Sequence, residues 1–252
     1  KSLALALKKP LIAVNHLEGH ALSPMFENKL KYPYLLLLIS GGHTQFLVVK
    51  GLGKYKRIGT TIDDALGEAF DKTSKMLGFG FPGGPEIEKY SKKGDPNKFD
   101  LPMPIINKGG CNLSFAGLKT AVLRSKILLK TKKDKYDLAA SFQATVLKII
   151  YKKTKIAIRE FRKISKGKSL VIAGGVASNQ EIRRIIKKIC YEEKFKSYFP
   201  KMNLCSDNAA MIAITGLKKF KKRKFDKLNF PVRPRWPLDR RAKFLKGSGV
   251  KL

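Results

Sequence analysis

Two histidines near the start of the chain have a spacing that is typical of a metal site. His16 and His20 are four residues apart in the segment NHLEGH. On a helix these two positions share one face, so both imidazoles can bind the same metal ion. Asn15 directly precedes them and is a candidate N-cap for that helix. The chain contains only three histidines, which weakens the alternative of two unrelated surface side chains.

A third ligand has to come from a distant part of the chain. Asp207 is our candidate, because it opens a predicted helix after a predicted buried strand, where catalytic carboxylates are often displayed. The same position also suits a helix N-cap. Glu18 lies between the two histidines and not beside the first, so the HExxH pattern of zinc proteases is absent. We therefore expect Glu18 to point away from the metal.

Two glycine-rich loops have the composition of phosphate-binding loops. Residues 40–44 (SGGHT) join two predicted strands, and glycines there let backbone N–H groups approach a phosphate closely. An ordinary Gly-Gly hairpin turn fits the same letters. Residues 174–179 (GGVASN) lie between a predicted strand and helix, where α/β folds bind nucleotides. A plain strand–helix turn is the alternative for this segment.

The hydrophobic pattern predicts the elements that hold these residues. Residues 35–49 predict a hairpin, and residues 54–60 a third strand beside it. A long helix is predicted over 137–165 and a buried strand over 169–173. The other predicted elements are a helix that opens at Thr61 with a capping box, a helix capped by Ser178 with Glu181, a strand over 198–205, and a helix that opens at Ser206 or Asp207. A three-strand meander followed by alternating helices and strands predicts an α/β fold with a ribonuclease H-like lobe.

The composition narrows the class of protein. With 53 basic and 19 acidic residues the net charge is +34, which favours a polyanionic partner such as RNA, although a general lysine bias is the alternative. The three cysteines form no CxxC pair, which fits a reducing cytoplasm. No apolar run approaches the length of a membrane helix.

Eight segments, taken together and in order, carry a family resemblance. They are NHLEGH, ISGGHTQ, DDALGEAFDKTSKMLG, FPGGP, LSFAGLKT, AGGVASN, CSDNAAMIA and RPRWPLD. Over nearly its whole length the chain resembles the bacterial tRNA adenosine threonylcarbamoyltransferases, the TsaD family. The resemblance implies an α/β fold of the sugar kinase/Hsp70/actin class, here mostly its second lobe. It predicts that residues 1–30 are the end of a first lobe whose remainder is missing, 34–217 the second lobe, and 218–252 a basic, proline-rich tail. An exposed apolar face is expected where the first lobe would pack.

The resemblance also implies a reaction and a set of site residues. Family members transfer a threonylcarbamoyl group from threonylcarbamoyl-adenylate to the N6 amine of adenosine 37, in tRNAs that read ANN codons. By similarity His16, His20 and Asp207 bind one divalent metal ion, iron or else zinc. The implied substrate-binding residues are Ile39, Ser40, Gly41, Gly42, His43, Asp71, Gly84 and Asn179. Some members carry an aspartate where this chain has Glu88. No general base is assigned.

The resemblance names partners, and three other functions remain alternatives. The expected partners are tRNA, an inactive paralogue (TsaB-like) and a small ATPase (TsaE-like), with no membrane. One alternative is an O-carbamoyltransferase or kinase-like ATPase of the same fold. A metalloprotease is another, and it would need a glutamate placed to activate water. A non-catalytic partner is the third, but such a protein is expected to lack the His16 and His20 pair, which is present here.

Overall fold

The architecture is a five-stranded mixed sheet with helices on both faces. It was obtained as a computed structural model and describes residues 1–242. Residues 243–252, the end of the predicted tail, lie outside the described residues. The strands are β1 (Tyr34–Ile39), β2 (Thr44–Gly51), β3 (Lys54–Thr60), β4 (Ser169–Ala173) and β5 (Lys196–Tyr198). Their order is β3-β2-β1-β4-β5; β1, β2 and β3 form an antiparallel meander, whereas β1, β4 and β5 are parallel.

Eight α-helices surround this sheet within residues 1–242. They are α1 (Ser2–Ala6), α2 (His16–Leu22), α3 (Leu66–Leu77), α4 (Gly83–Ser91), α5 (Ala116–Ser125), α6 (Lys132–Ile164), α7 (Gln180–Glu192) and α8 (Ala209–Lys221). In this part of the chain no helix is both long and apolar enough to cross a membrane.

The central strand β1 separates two hydrophobic cores. All six of its residues are buried, as expected for a strand covered on both faces. Leu35 and Leu37 face a large core that α3, α6 and α7 complete. Leu36 and Leu38 face a smaller core that includes Leu17 of α2. The short helix α2 is therefore held against the sheet, and it packs on its other side against α8.

The sequence located most elements correctly but misplaced one strand and four helix starts. The hairpin, the third strand and the long helix are all present. Strand β5 covers Lys196–Tyr198 and not 198–205, because Pro200 has no N–H for a ladder hydrogen bond. A short 3-10 turn over Met202–Leu204 follows instead.

Helices α3, α6, α7 and α8 begin at residues other than the predicted ones. Helix α6 begins at Lys132 and not at residue 137, because the Thr131 hydroxyl caps it by accepting the Asp134 N–H. Helix α3 begins at Leu66, because the Thr61 hydroxyl bonds the Asp64 carbonyl oxygen at 2.6 Å and closes a turn. Asn179, not Ser178, caps α7 by accepting the Ile182 N–H. Asn208 caps α8, so Asp207 is not a capping residue.

Large apolar side chains are exposed on α1 and α8. Leu3 and Leu5 are 76% and 66% exposed, and Leu217 and Phe220 are about half exposed. The exposed apolar face that the sequence predicts at a lobe contact stays a prediction, and these side chains are where it would lie.

Candidate active site

Helix α2 presents two imidazoles side by side. The Asn15 side chain caps the helix and accepts hydrogen bonds from the N–H groups of Leu17 and Glu18, as the sequence predicts. His16 and His20 then lie one turn apart, with ring centroids 4.9 Å from each other. The predicted sharing of one helix face is confirmed.

Asp207 meets both histidines from the start of α8. Its Oδ1 lies 3.2 Å from His16 Nε2 and 2.9 Å from His20 Nε2. One ligand atom from each of the three residues lies within 4.8 Å of the others. Since Asn208 caps α8, the Asp207 carboxylate is not engaged in capping and can serve as a ligand. The fold thus brings together three residues that the sequence separates by up to 191 positions.

The donor set fits a divalent transition metal. Burial lowers the pKa of His20, and the nearby His16 lowers it further, although Asp207 acts in the opposite direction. A histidine that is neutral at physiological pH has a lone pair for a metal. His20 Nδ1 is buried and has no hydrogen-bond partner among the described residues. Two imidazole nitrogens with one carboxylate oxygen are ligands that suit iron or zinc.

Glu18 is unavailable as a metal-site base. It is 3% exposed and accepts hydrogen bonds from Gly53 N and the Tyr55 hydroxyl, both at 2.9 Å, while Lys219 lies 3.0 Å away. Burial and the Glu18 charge raise the pKa of Tyr55, which keeps its hydroxyl protonated as a donor. This arrangement argues against the metalloprotease alternative, since that mechanism needs a carboxylate beside the metal-bound water.

Hydrogen bonds between its two ends hold the loop between β1 and β2, and its two glycines are not covered by other residues of the described chain. Ser40 N donates to the His43 carbonyl at 2.8 Å, and His43 N donates to the Ser40 hydroxyl. Among residues 1–242, no atom beyond the two chain neighbours comes within 4 Å of the positions that Cβ atoms would take at Gly41 and Gly42. A ligand can therefore approach the backbone there. Burial lowers the pKa of His43, and His16 and His20 lower it further.

Helix α3 packs directly against this loop. The N–H of Gly67 donates to the Ser40 carbonyl at 3.2 Å. A Cβ at Gly67 would lie 2.6 Å from that same oxygen, so only glycine permits the contact. The Thr44 hydroxyl accepts the N–H of Leu66 at 2.8 Å, which fixes the helix start beside the loop.

A cavity of about 270 Å³ adjoins the loop and the carboxylate ligand. It is lined by Gly41, Gly67, Phe70, Asp71, Pro82, Gly84, Pro85, Glu88, Gly175, Val176, Ser178, Asn179 and Ser206. Of the predicted substrate residues it contains Gly41, Asp71, Gly84 and Asn179. Ile39, Ser40, Gly42 and His43 belong to the adjoining strand end and loop but are not part of the lining. Ser206 is next to Asp207 in the chain, which places the cavity beside the cluster of His16, His20 and Asp207.

Three polar side chains that line this cavity also form hydrogen bonds that fix its walls. Asp71 Oδ1 accepts the N–H of Gly83 at 2.7 Å. Asn179 is buried and donates one amide hydrogen to Gln143, which leaves the other for a ligand. Glu88 accepts the N–H of Gln180 at 2.7 Å.

The sequence did not single out three residues of this site. Gly67 lies in the segment DDALGEAFDKTSKMLG, but only its closeness to Ser40 in the structure shows why glycine is needed. Phe70 and Ser206 read as an ordinary core residue and a helix start. A contact between chain segments determines each of these roles, and no local pattern reports such contacts.

A second, larger cavity of about 1080 Å³ lies along β3 and the tail. Its cationic lining residues are Lys50, Lys54, Lys56, Arg57, Lys219, Lys224, Arg240 and Arg241. It contains none of the predicted metal or substrate residues. The tail is anchored here, because Asn15 Nδ2 donates to the Trp236 carbonyl and Asp239 accepts the N–H of Arg57.

Comparison of the sequence with known proteins shows the family to which the chain belongs. The sequence model described as "TsaD: tRNA N6-adenosine threonylcarbamoyltransferase" matches residues 1–214. A protein of that name from Pelagibacter ubique is 65% identical over 255 residues, covering 100% of this chain and 71% of the relative. The corresponding protein from Rickettsia peacockii is 52% identical over 244 residues, covering 95% of this chain and 71% of the relative.

Solved structures agree on the fold. Full-length HypF in a phosphate- and nucleotide-bound form matches with a TM-score of 0.66 at 14% identity, covering 89% of this chain and 38% of HypF. HypF from T. kodakarensis matches with a TM-score of 0.65 at 16% identity, covering 88% and 38%. This likeness, at low identity, confirms a sugar kinase/actin-like type of fold.

Proposed function

We propose the donor, the acceptor and the binding residues of the reaction that this chain catalyses. The chain belongs to the tRNA N6-adenosine threonylcarbamoyltransferase family, so its function is tRNA modification by threonylcarbamoyl transfer. The donor in this proposal is threonylcarbamoyl-adenylate. The acceptor is the N6 amine of adenosine 37 in tRNAs that read ANN codons. A bond forms between N6 and the carbamoyl carbon, the bond from that carbon to the phosphate oxygen breaks, AMP leaves, and N6 loses a proton.

One observation carries the proposal: the metal ligands and the nucleotide-sized cavity adjoin each other. His16, His20 and Asp207 converge on one point, and Ser206 joins that point to the cavity. We propose that these three residues hold one divalent ion, iron in preference to zinc. Such an ion, when bound, polarises an oxygen of the carbamoyl or phosphate group.

The chain's own backbone supplies the charge stabilisation. The N–H groups of Gly41 and Gly42 can donate to the phosphate, where negative charge develops as AMP leaves. We propose that Ile39, Ser40, Gly41, Gly42 and His43 surround the phosphate and carbamoyl groups. Asp71, Gly84 and Asn179 would hold the ribose and base in the adjoining cavity. An aromatic amine is a weak nucleophile, so holding it close to the carbamoyl carbon is expected to contribute much of the rate.

The basic surface supports a tRNA substrate. Residues 218–224 and 233–241 supply cationic side chains that we propose meet phosphates, and such contacts should weaken with added salt. We also propose the family's other partners for this chain: an inactive paralogue and a small ATPase. A cytoplasmic location belongs to the same proposal, since tRNA is modified there.

The three-part organisation is likewise a proposal. Residues 1–30 would end a first lobe, 34–217 form the second, and 218–252 return as a tail. The bridge between Leu11 and Asp226 supports this view, because it joins the first and last of these parts.

A reconstituted reaction tests the proposal. The full-length protein, its partner subunits, threonylcarbamoyl-adenylate and unmodified tRNA would be incubated, and the tRNA nucleosides analysed by mass spectrometry. We expect threonylcarbamoyladenosine with the wild type and with Lys148→Ala, a change at an exposed lysine of α6, and little or none with His16→Ala. Equal product from His16→Ala would contradict the metal assignment, and no product from the wild type would contradict the function.

A further inference from the structure

Two of the three metal ligands have little around them to fix their positions. The side chains of His16 and Asp207 are 54% and 74% exposed, whereas His20 is buried. Metal ligands are usually oriented by hydrogen bonds from neighbouring groups. Here the separation of the ligands depends instead on how the elements that carry them are docked, namely α2 and the start of α8.

Contacts between α2 and α8 run antiparallel along the two helices. At one end His20 meets Asp207. In the middle, a Cβ at Gly19 would lie 3.2 Å from side-chain atoms of Met211 and Ile212, so the helices approach closely there. At the far end Lys219 donates to the Ala13 carbonyl at 2.9 Å, just before α2 begins. A translation or rotation of α8 along its interface with α2 would move Asp207 relative to the histidines.

Glu18 connects the α2–α8 interface to the sheet, on the side opposite the proposed metal site. One carboxylate oxygen accepts hydrogen bonds from Gly53 N and the Tyr55 hydroxyl, at the turn and start of β3. The other lies 3.0 Å from Lys219 Nζ. Lys219 also lies over the Trp236 ring, 5.7 Å from its centroid. The Glu18–Lys219 pair therefore links α2, α8, the β2–β3 hairpin and the tail.

We propose that Glu18 and Lys219 are positioning residues for the metal site, which set the distance between the α2 histidines and Asp207 without touching the ion. This inference rests on the metal site of the proposed function. The pair lies at the far end of α8 from Asp207, about 20 Å along a 13-residue helix. A rigid helix transmits the position of its anchored end to its other end.

Metal titration of the full-length protein tests the inference. Co²⁺ is the probe, because its visible absorption reports the ligand set as well as the affinity. We expect Glu18→Gln and Lys219→Met each to weaken Co²⁺ binding by about tenfold, the size of effect typical of groups behind the ligands. The double variant should lose no more than either single one, since the two residues act as a unit. Lys219→Arg should recover most of the affinity because it keeps the charge.

Lys119→Met is the matched control. It breaks another lysine–carboxylate pair, with Asp64 at 2.7 Å, where the carboxylate is 1% exposed. We expect it to lower the melting temperature while leaving the Co²⁺ affinity and spectrum unchanged. Wild-type Co²⁺ affinity in Glu18→Gln, or an equal loss in Lys119→Met, would overturn the positioning role alone. If the wild type bound no Co²⁺, or His16→Ala changed nothing, the metal site itself would be wrong.

Discussion

Gly67→Ala should loosen the contact between helix α3 and the glycine loop. The new Cβ would lie 2.6 Å from the Ser40 carbonyl oxygen and 2.8 Å from Gly41 N, both backbone atoms. Backbone cannot turn aside as a side chain can, so the helix and loop must separate. Overpacking of this kind costs about 1–3 kcal/mol, and the lost Gly67–Ser40 hydrogen bond about 1 kcal/mol. Alanine gains back about 1 kcal/mol of helix propensity. The free energy of unfolding should therefore fall by about 1–3 kcal/mol.

Urea denaturation followed by circular dichroism measures this loss, and AMP titration reports the adjoining cavity. Gly84→Ala is the control for the stability measurement, because it also changes a first-turn helix glycine of that cavity, and within the described part of the chain no atom beyond its neighbours lies within 4 Å of its Cβ position. We expect Gly84→Ala to keep or slightly raise stability, and Gly67→Ala to weaken AMP binding together with stability. A Gly67→Ala protein as stable as the wild type would refute the close-approach argument.

Three further substitutions test the site. Asn15→Ala removes the cap of α2 and should lower the free energy of unfolding by about 1 kcal/mol in urea denaturation; no change would mean that the cap is dispensable. Asp207→Ala should weaken Co²⁺ binding by more than about 100-fold, since loss of a residue that only hydrogen-bonds to a ligand already lowers metal affinity by about 10- to 100-fold. Wild-type affinity in this variant would show that Asp207 is not a ligand. Asp71→Ala loses the hydrogen bond from Gly83, worth about 1.5–3 kcal/mol, and should weaken AMP binding measured by calorimetry; unchanged binding would place AMP elsewhere.

The sequence predicted the metal trio because each member carries a local signal. Helical periodicity puts His16 and His20 on one face, and Asn15 marks where that helix begins. The choice of Asp207 rested on its place at the start of a predicted helix after a predicted buried strand, although that strand ends at Tyr198 and a 3-10 turn lies before Asp207. The structure confirms that the three converge, for a reason no local pattern contains: α8 packs antiparallel on α2.

Helix starts were the weaker part of the prediction. Near Thr61 and Ser178, several polar residues can cap, and local preference does not choose among them. For Thr61 a tertiary contact decides, because this residue pairs with Leu113 in a bridge. For Ser178 a local contact decides, because its hydroxyl donates to the Gly175 carbonyl three residues earlier and is not available as a cap. Glu18 was expected to point away from the metal, but its buried partners come from β3 and α8 and could not be found from sequence.

The most direct test of the account is nucleoside analysis of cellular tRNA. Cells depleted of their own enzyme would receive the full-length gene of this chain or its His16→Ala variant, and threonylcarbamoyladenosine would be measured. The account predicts that the modified nucleoside returns with the wild-type gene and stays low with His16→Ala. Its failure to return with the wild type, or its equal return with both genes, would contradict the account.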